Sequence, residues 1–188
     1  MIMVRQKAIA LVIAAVLGLG ACSSPGPSPE TVESGAQLSG ASLSFGKNAS
    51  FTLDGTLIEL VNGVSSEPIA NSSSRTTTRY LGGEAVGDLN GDGLEDFSFW
   101  VAQNAGGSGT FYYVVVALKR PSGYTTTNAF FVGDRIVPET MQISRGSQEL
   151  QVNFNERARG EPMSTLPSKP ATLLLKVTPD GVLEGLMK

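Results

Sequence analysis

The sequence predicts an all-β domain, an antiparallel sandwich or a curled barrel, over residues 43–188, behind an N-terminal leader and a flexible tether. Three observations predict it. From about Leu43 onward the apolar residues recur with period two, the spacing of a strand with one buried face, and not with the period of a helix. The chain has 22 Gly and 10 Pro but only 16% charged side chains, the composition of a protein with many turns. No window of about 12 residues beyond the leader holds a convincing helical stripe, which leaves room for one short helical turn at most.

The leader comes first. Arg5 and Lys7 form a short positive region, and Ala8 to Ala21 is almost wholly apolar and uncharged. A bilayer-spanning helix needs roughly 20 apolar residues, so this run has the proportions of a secretory signal, residues 1–21. It ends in Leu19-Gly20-Ala21-Cys22, which resembles a bacterial lipobox. The resemblance implies that Cys22 receives a diacylglycerol thioether, that the signal is cut before it, and that the new amino terminus is acylated. Small residues before the cysteine let a peptidase reach the backbone, and only a thiol supplies the lipid acceptor. The alternative is an ordinary signal peptide with a chance cysteine, but Cys22 is the chain's one cysteine. Several acyl chains, at about 0.8 kcal/mol per buried methylene, anchor a protein where one does not.

Residues 22–42 read as the acylated cysteine and a tether rich in Ser, Pro and Gly, without an apolar period. Ser23 follows the cysteine. In lipoproteins of enteric Gram-negative bacteria, Asp at that place resembles an inner-membrane retention signal, so Ser leans toward the outer membrane.

The strands follow in order. Ser50–Leu53 and Thr56–Val61 flank Asp54-Gly55, a strong hairpin signal. Thr76–Tyr80 is rich in β-branched residues, and Glu84–Gly87 leads into an acidic loop. In Asp96–Ala102 the alternation puts Phe97, Phe99 and Val101 on one face. Thr110–Leu118 is nearly all apolar, the signature of a central strand buried on both faces. Further strands are expected at 128–132, 140–144, 149–155 and 171–177, with a Pro-bearing loop over 160–170. No repeat of fixed period points to a propeller.

Composition excludes several function classes. With 14 basic and 17 acidic side chains the net charge is −3, and no basic cluster offers a face to nucleic acid. Cleavage of residues 1–21 removes Arg5 and Lys7 and no acid, leaving 12 basic against 17 acidic side chains and a net charge of −5. Such a body is not expected to adhere to anionic lipid by charge; the lipid would hold it there. Without histidine there is no Ser-His-Asp or Cys-His nucleophile, no imidazole metal ligand and no histidine pH switch.

The sharpest chemical feature is Gly87-Asp88-Leu89-Asn90-Gly91-Asp92-Gly93-Leu94-Glu95-Asp96. Oxygen side chains at Asp88, Asn90 and Asp92 occupy alternate positions of a loop that can curl around a point, and Gly93 permits the sharp turn. Leu94 would lend its backbone carbonyl, and Asp96 would bind directly or through water. Hard oxygens suit Ca²⁺ and disfavour zinc or copper. The glutamate that closes an EF-hand is missing, since Phe99 stands at its place. The spacing resembles instead the calcium loops that join two strands in FG-GAP or integrin-like β-propellers. The plain alternative is a hairpin of turn-favouring Asn, Asp and Gly, although four carboxylates within nine residues would repel one another without a cation. A module outside the cytoplasm binds Ca²⁺ with Kd of roughly 10⁻⁴–10⁻³ M. At ten times Kd that contributes only ~1.4 kcal/mol, a structural role.

Three more segments accompany the loop: Asn104–Tyr113, Gly133-Asp134-Arg135 and Glu161-Pro162-Met163. Their order resembles a family of bacterial secreted or lipid-anchored proteins over roughly residues 45–177, and it implies location and fold without an activity. Gly106–Gly109 lacks the Lys-Ser/Thr of a phosphate loop and reads as a hairpin turn. Asp134-Arg135 could face a ligand or be structural. Trp100, Tyr112 and Tyr113 could stack on a sugar or fill a core. The acids Glu84, Glu95, Glu149, Glu156 and Glu161 could serve a carboxylate-pair glycosidase, but nothing in the sequence pairs two of them. The expected function is a lipid-anchored cell-envelope protein with a calcium-stabilised β domain, non-catalytic, that binds or scaffolds an envelope protein or glycan. The alternative is a carbohydrate-binding or carbohydrate-active module.

Overall fold

A computed structural model describes residues 39–186 of the chain. The leader, Cys22 and nearly all of the tether lie outside the described residues.

The order of elements along the chain is also an order of layers. The first layer is helix α1 (Gly40–Lys47) with a hairpin of β1 (Ser50–Leu53) and β2 (Thr56–Glu59). The middle layer is an antiparallel sheet of β3 (Val64–Pro68), β4 (Arg75–Gly87), β5 (Asp96–Asn104), β6 (Phe111–Arg120), β7 (Gly123–Thr126) and β8 (Phe130–Asp134). Strands β3 to β6 lie side by side, and β7 and β8 share the far edge of β6, opposite Ala117–Arg120 and Phe111–Val114 respectively. The last layer is the antiparallel sheet β12-β11-β10-β9, built from β9 (Val137–Ser144), β10 (Glu149–Glu156), β11 (Lys169–Val177) and β12 (Leu183–Gly185). The sheets remain separate and open, so the all-β architecture is a layered sandwich and not a curled barrel.

Alternation in the middle sheet creates two cores. From β6, Val114, Val116 and Leu118 meet Leu150, Val152, Leu175 and Leu183 of the last sheet. Their neighbours Tyr113, Val115 and Ala117 turn to the other face and meet Phe51, Leu53, Ile58 and Leu60 of the first layer. From β5, Phe97, Phe99 and Val101 share that second face, as their spacing requires. The run over 110–118 is nearly all apolar because both faces of Tyr113–Leu118 are covered.

The β1–β2 turn has Asp54 at φ 47° and Gly55 at φ 80°. Two consecutive positive φ values make the turn whose twist matches a hairpin, and Asp-Gly is the pair that tolerates it. Helix α1 begins inside the segment read as tether. Ser39 Oγ accepts the Ser42 N–H at 3.2 Å, and Phe45 lies against Phe97 and Tyr124. Eight residues containing two Gly and two Ser are too short and too polar to show a helical period.

Strand boundaries differ from expectation where packing or pairing decides them. The run read as Thr56–Val61 ends as a strand at Glu59, and Val61 bridges to Val64 across a turn at Asn62 and Gly63, both at positive φ. Strand β4 runs 13 residues where five were expected before the Glu84–Gly87 lead-in. Strands β3, β7 and β12 were not foreseen. They are short edge segments with little apolar pattern, held by the strands beside them.

Candidate functional site

The acidic loop spans the turn from β4 to β5. Its entry is fixed by close packing: a Cβ on Gly87 would stand 2.9 Å from Ile143 Cγ2, so the backbone lies directly against the last sheet. Its exit is fixed by Asp96, a fully buried carboxylate. Asp96 Oδ2 accepts the N–H of Leu89 at 2.9 Å and Oδ1 accepts the N–H of Lys119 at 2.8 Å. One side chain thus ties the loop's first residues and the end of β6 to the start of β5.

The other oxygen side chains fold back onto the loop. Asp88 accepts the N–H groups of Gly91 and Gly93 at 2.6 and 2.9 Å. Asn90 Oδ1 accepts the Asp92 N–H at 2.9 Å, and Asp92 Oδ1 accepts the Leu94 N–H at 2.9 Å. Gly91 and Gly93 sit at φ 78° and 81°, where a side chain would be strained. The loop therefore holds the tight curl that its Asp/Asn/Gly spacing implies.

Electrostatics oppose this crowding. Burial pushes the Asp96 carboxyl above the ordinary carboxylate range; the two backbone N–H bonds pull it down, and repulsion from Asp92 and Asp88 adds to the rise. Two neighbours from elsewhere in the chain lean on the loop. Arg120 Nη1 reaches Asp92 Oδ2 at 3.1 Å, and the Gln148 side chain covers Gly91 so closely that a Cβ there would stand 2.5 Å from its Nε2. Neither partner is visible as such in the sequence, because both arrive through tertiary structure.

Of the predicted ligand set, Asp88, Asn90, Asp92 and Asp96 are gathered on one loop by these bonds. Leu94 enters through its N–H, and its side chain lies at the surface. Among the described residues no three acidic side chains converge as a ready-made metal cage. The donor set still suits a hard cation. Each carboxylate oxygen has more than one acceptor site, and most here are used once. Asp92 Oδ2 is the exception, since it receives both Arg120 and the Asn90 amide at 3.0 Å. Beside the loop lies a cavity of about 370 Å³ bordered by Ser42, Leu94, Phe97, Lys119 and Tyr124.

Comparison with known proteins finds no matching family model, no matching curated protein and no matching solved structure.

The remaining candidates separate cleanly. Trp100 is 1% exposed inside the core between the middle and last sheets, and Tyr113 is 4% exposed, so they form no sugar-stacking platform. The aromatic alternation of β5 and β6 serves packing. Asp134 and Arg135 pair with each other at 2.6 Å, and Asp134 also accepts the Thr110 N–H at 3.2 Å, closing the end of β8 onto β6. Gly106 lies in the turn between β5 and β6, where Asn104 Oδ1 accepts its N–H at 2.9 Å, as expected of a hairpin. Of the five acids considered for catalysis, Glu84 takes the Tyr80 hydroxyl, Glu156 pairs with Lys169 at 2.7 Å, and Glu161 caps Ala158 at 2.8 Å.

Proposed function

We propose that this chain is a lipid-anchored cell-envelope protein whose β domain is stabilised by Ca²⁺ at the 88–96 loop and acts by binding or scaffolding rather than by catalysis. The observation that carries the ion reading is the buried Asp96 beside Asp88 and Asp92 on a loop already curled by its own side chains. Bound there, calcium would supply positive charge that offsets the repulsion among these carboxylates. The residues on hand would hold it through Asp88, Asn90, Asp92 and Asp96 with the Leu94 carbonyl, all hard oxygens. The lipobox Leu19–Cys22 supports the anchor.

Membrane fractionation tests the anchor. The Cys22→Ser variant is expected to remain unprocessed or to leave the membrane fraction. Normal processing and membrane retention of that variant contradict lipidation.

A second reading, glycan binding, draws on one specific surface. The outward face of the last sheet carries a row of neutral amides and hydroxyls. Asn153 Nδ2 donates to Thr140 Oγ1 at 3.0 Å, Thr172 Oγ1 and Gln151 Nε2 donate to Asn153 Oδ1 at 2.9 and 3.1 Å, and Asn155 Nδ2 reaches Glu139 at 2.8 Å. Such a face offers hydrogen bonds to a polyhydroxylated polymer. Pull-down on peptidoglycan or a glycan array, with loss in an Asn153→Ala variant, favours this reading. Binding unaffected by that change removes the face from consideration.

A further inference from the structure

Among the described residues, two buried polar atoms on one strand lack a hydrogen-bond partner. Ser98 Oγ and Trp100 Nε1 are both inaccessible to solvent and make no hydrogen bond with any described residue. They stand two residues apart on β5, on the face turned to the last sheet, roughly 6.6 Å apart along the backbone. A buried donor left unmatched bears its full desolvation penalty, so a folded core supplies such groups with a partner.

The strand opposite is irregular at these residues. Trp100 pairs with Gly82 and Ser98 with Ala85, so Gly83 and Glu84 both stand across from the single residue Phe99. Leu81 is a further extra residue between Tyr80 and Gly82. This double bulge breaks the ladder and frees backbone groups from strand pairing. Gly82 and Gly83 make it possible, at φ 77° and 70°. Gly83 also brings its backbone onto the indole: a Cβ there would stand 2.8 Å from Trp100 Cδ1 and 3.4 Å from Nε1. The Gly83 backbone therefore lies directly against the indole edge that carries the unmatched N–H.

We propose that the β4 bulge and β5 enclose a binding site for one ordered water molecule, held between Ser98 Oγ and Trp100 Nε1. The indole N–H is a donor only, so the water accepts from it. The water then donates to Ser98 Oγ and to a backbone carbonyl released by the bulge, which gives it the three bonds typical of internal water. The site explains a Gly-Gly pair in mid-strand and a serine in a core-facing row of a central strand.

The test uses the full chain. A crystal structure at about 1.5 Å or better is expected to show one water within hydrogen-bond distance of both atoms. A dry gap, or either group bonded directly to a protein acceptor, overturns the proposal. In a Ser98→Ala crystal the water is expected to weaken or vanish, and full occupancy beside Trp100 would show that no bridge to Ser98 exists. In solution the chain's one tryptophan gives one indole N–H signal. Direct magnetisation transfer from water to that proton is expected in the parent chain and is expected to fall in Ser98→Ala. No transfer in the parent chain, or equal transfer in both, also overturns it.

Discussion

The backbone N–H of Leu89 donates to the carboxylate of Asp96 at 2.9 Å, joining the two ends of the acidic loop inside the protein. Leu89 is 1% exposed and packs in the core between the middle and last sheets, so the loop is anchored by an apolar side chain and a buried charge together. Replacing Asp96 with Ala leaves the Leu89 and Lys119 amides without their acceptor. At about 1–3 kcal/mol for each buried unmatched group, the two amides give Asp96→Ala an expected loss of about 2–6 kcal/mol. Asp96→Asn is expected to lose less, because one oxygen remains. Urea unfolding of the three chains measures both, and equal midpoints would show that the clamp contributes nothing.

The first layer is as integral to the fold as the sheets. Phe51 is 2% exposed and meets Phe99 edge-on at 6.4 Å. Phe51→Ala is expected to cost about 3–5 kcal/mol through transfer and cavity terms. Leu57, on the same hairpin but 63% exposed, serves as the control and should stay within about 0.5 kcal/mol. Similar losses from both would mean that the hairpin does not pack as described.

What was legible in the sequence follows from what decides each element. Strands β5 and β6 were readable because burial on one face or both imposes its pattern directly on the residues. The Asp54-Gly55 turn was readable because its backbone demands those residue types. Strands β7 and β12 were not, since Gly123–Thr126 and Leu183–Gly185 owe their conformation to a neighbour's free edge. The same division runs through the loop. Its oxygen residues are local and stood out by spacing, whereas Arg120 and Gln148 reach it from the end of β6 and the β9–β10 turn. For Trp100 the sequence left stacking on a sugar and filling a core both open, because exposure cannot be read from an alternating strand, and the structure places it in the core.

Acid sensitivity is expected at Asp134. Its hydrogen bond with Arg135 holds the carboxyl below the ordinary value of 3.8. The unfolded chain therefore takes up its proton first as pH falls. The pair stabilises the fold above pH 3.8, and that contribution is lost as pH drops through the lower folded value. An Arg135→Gln chain is expected to melt lower than the parent near neutral pH, with the gap closing toward pH about 2. A gap that is constant with pH would place the effect elsewhere.

Arg120 acts on the loop as a resident counter-charge. Its pair with Asp92 is partly exposed, with side chains 38% and 32% accessible, and such pairs contribute about 0–1 kcal/mol. Arg120→Gln should therefore leave the melting temperature nearly unchanged. It also frees Asp92 Oδ2, and a calcium affinity higher by roughly two- to fivefold is expected by calorimetric titration, the same small energy expressed as binding. Weaker binding in the variant would mean that the guanidinium helps to hold the ion's ligands in place.

Thermal unfolding in chelator and in millimolar calcium, for the parent chain and for Asp92→Asn, tests the ion-stabilised domain most directly. The substitution keeps an oxygen for the Leu94 N–H and removes one charge. At calcium about ten times Kd the parent is expected to melt about 3–6 °C higher than in chelator, and the variant is expected to lose most of that rise. Identical melting of the parent chain with and without calcium would contradict the account.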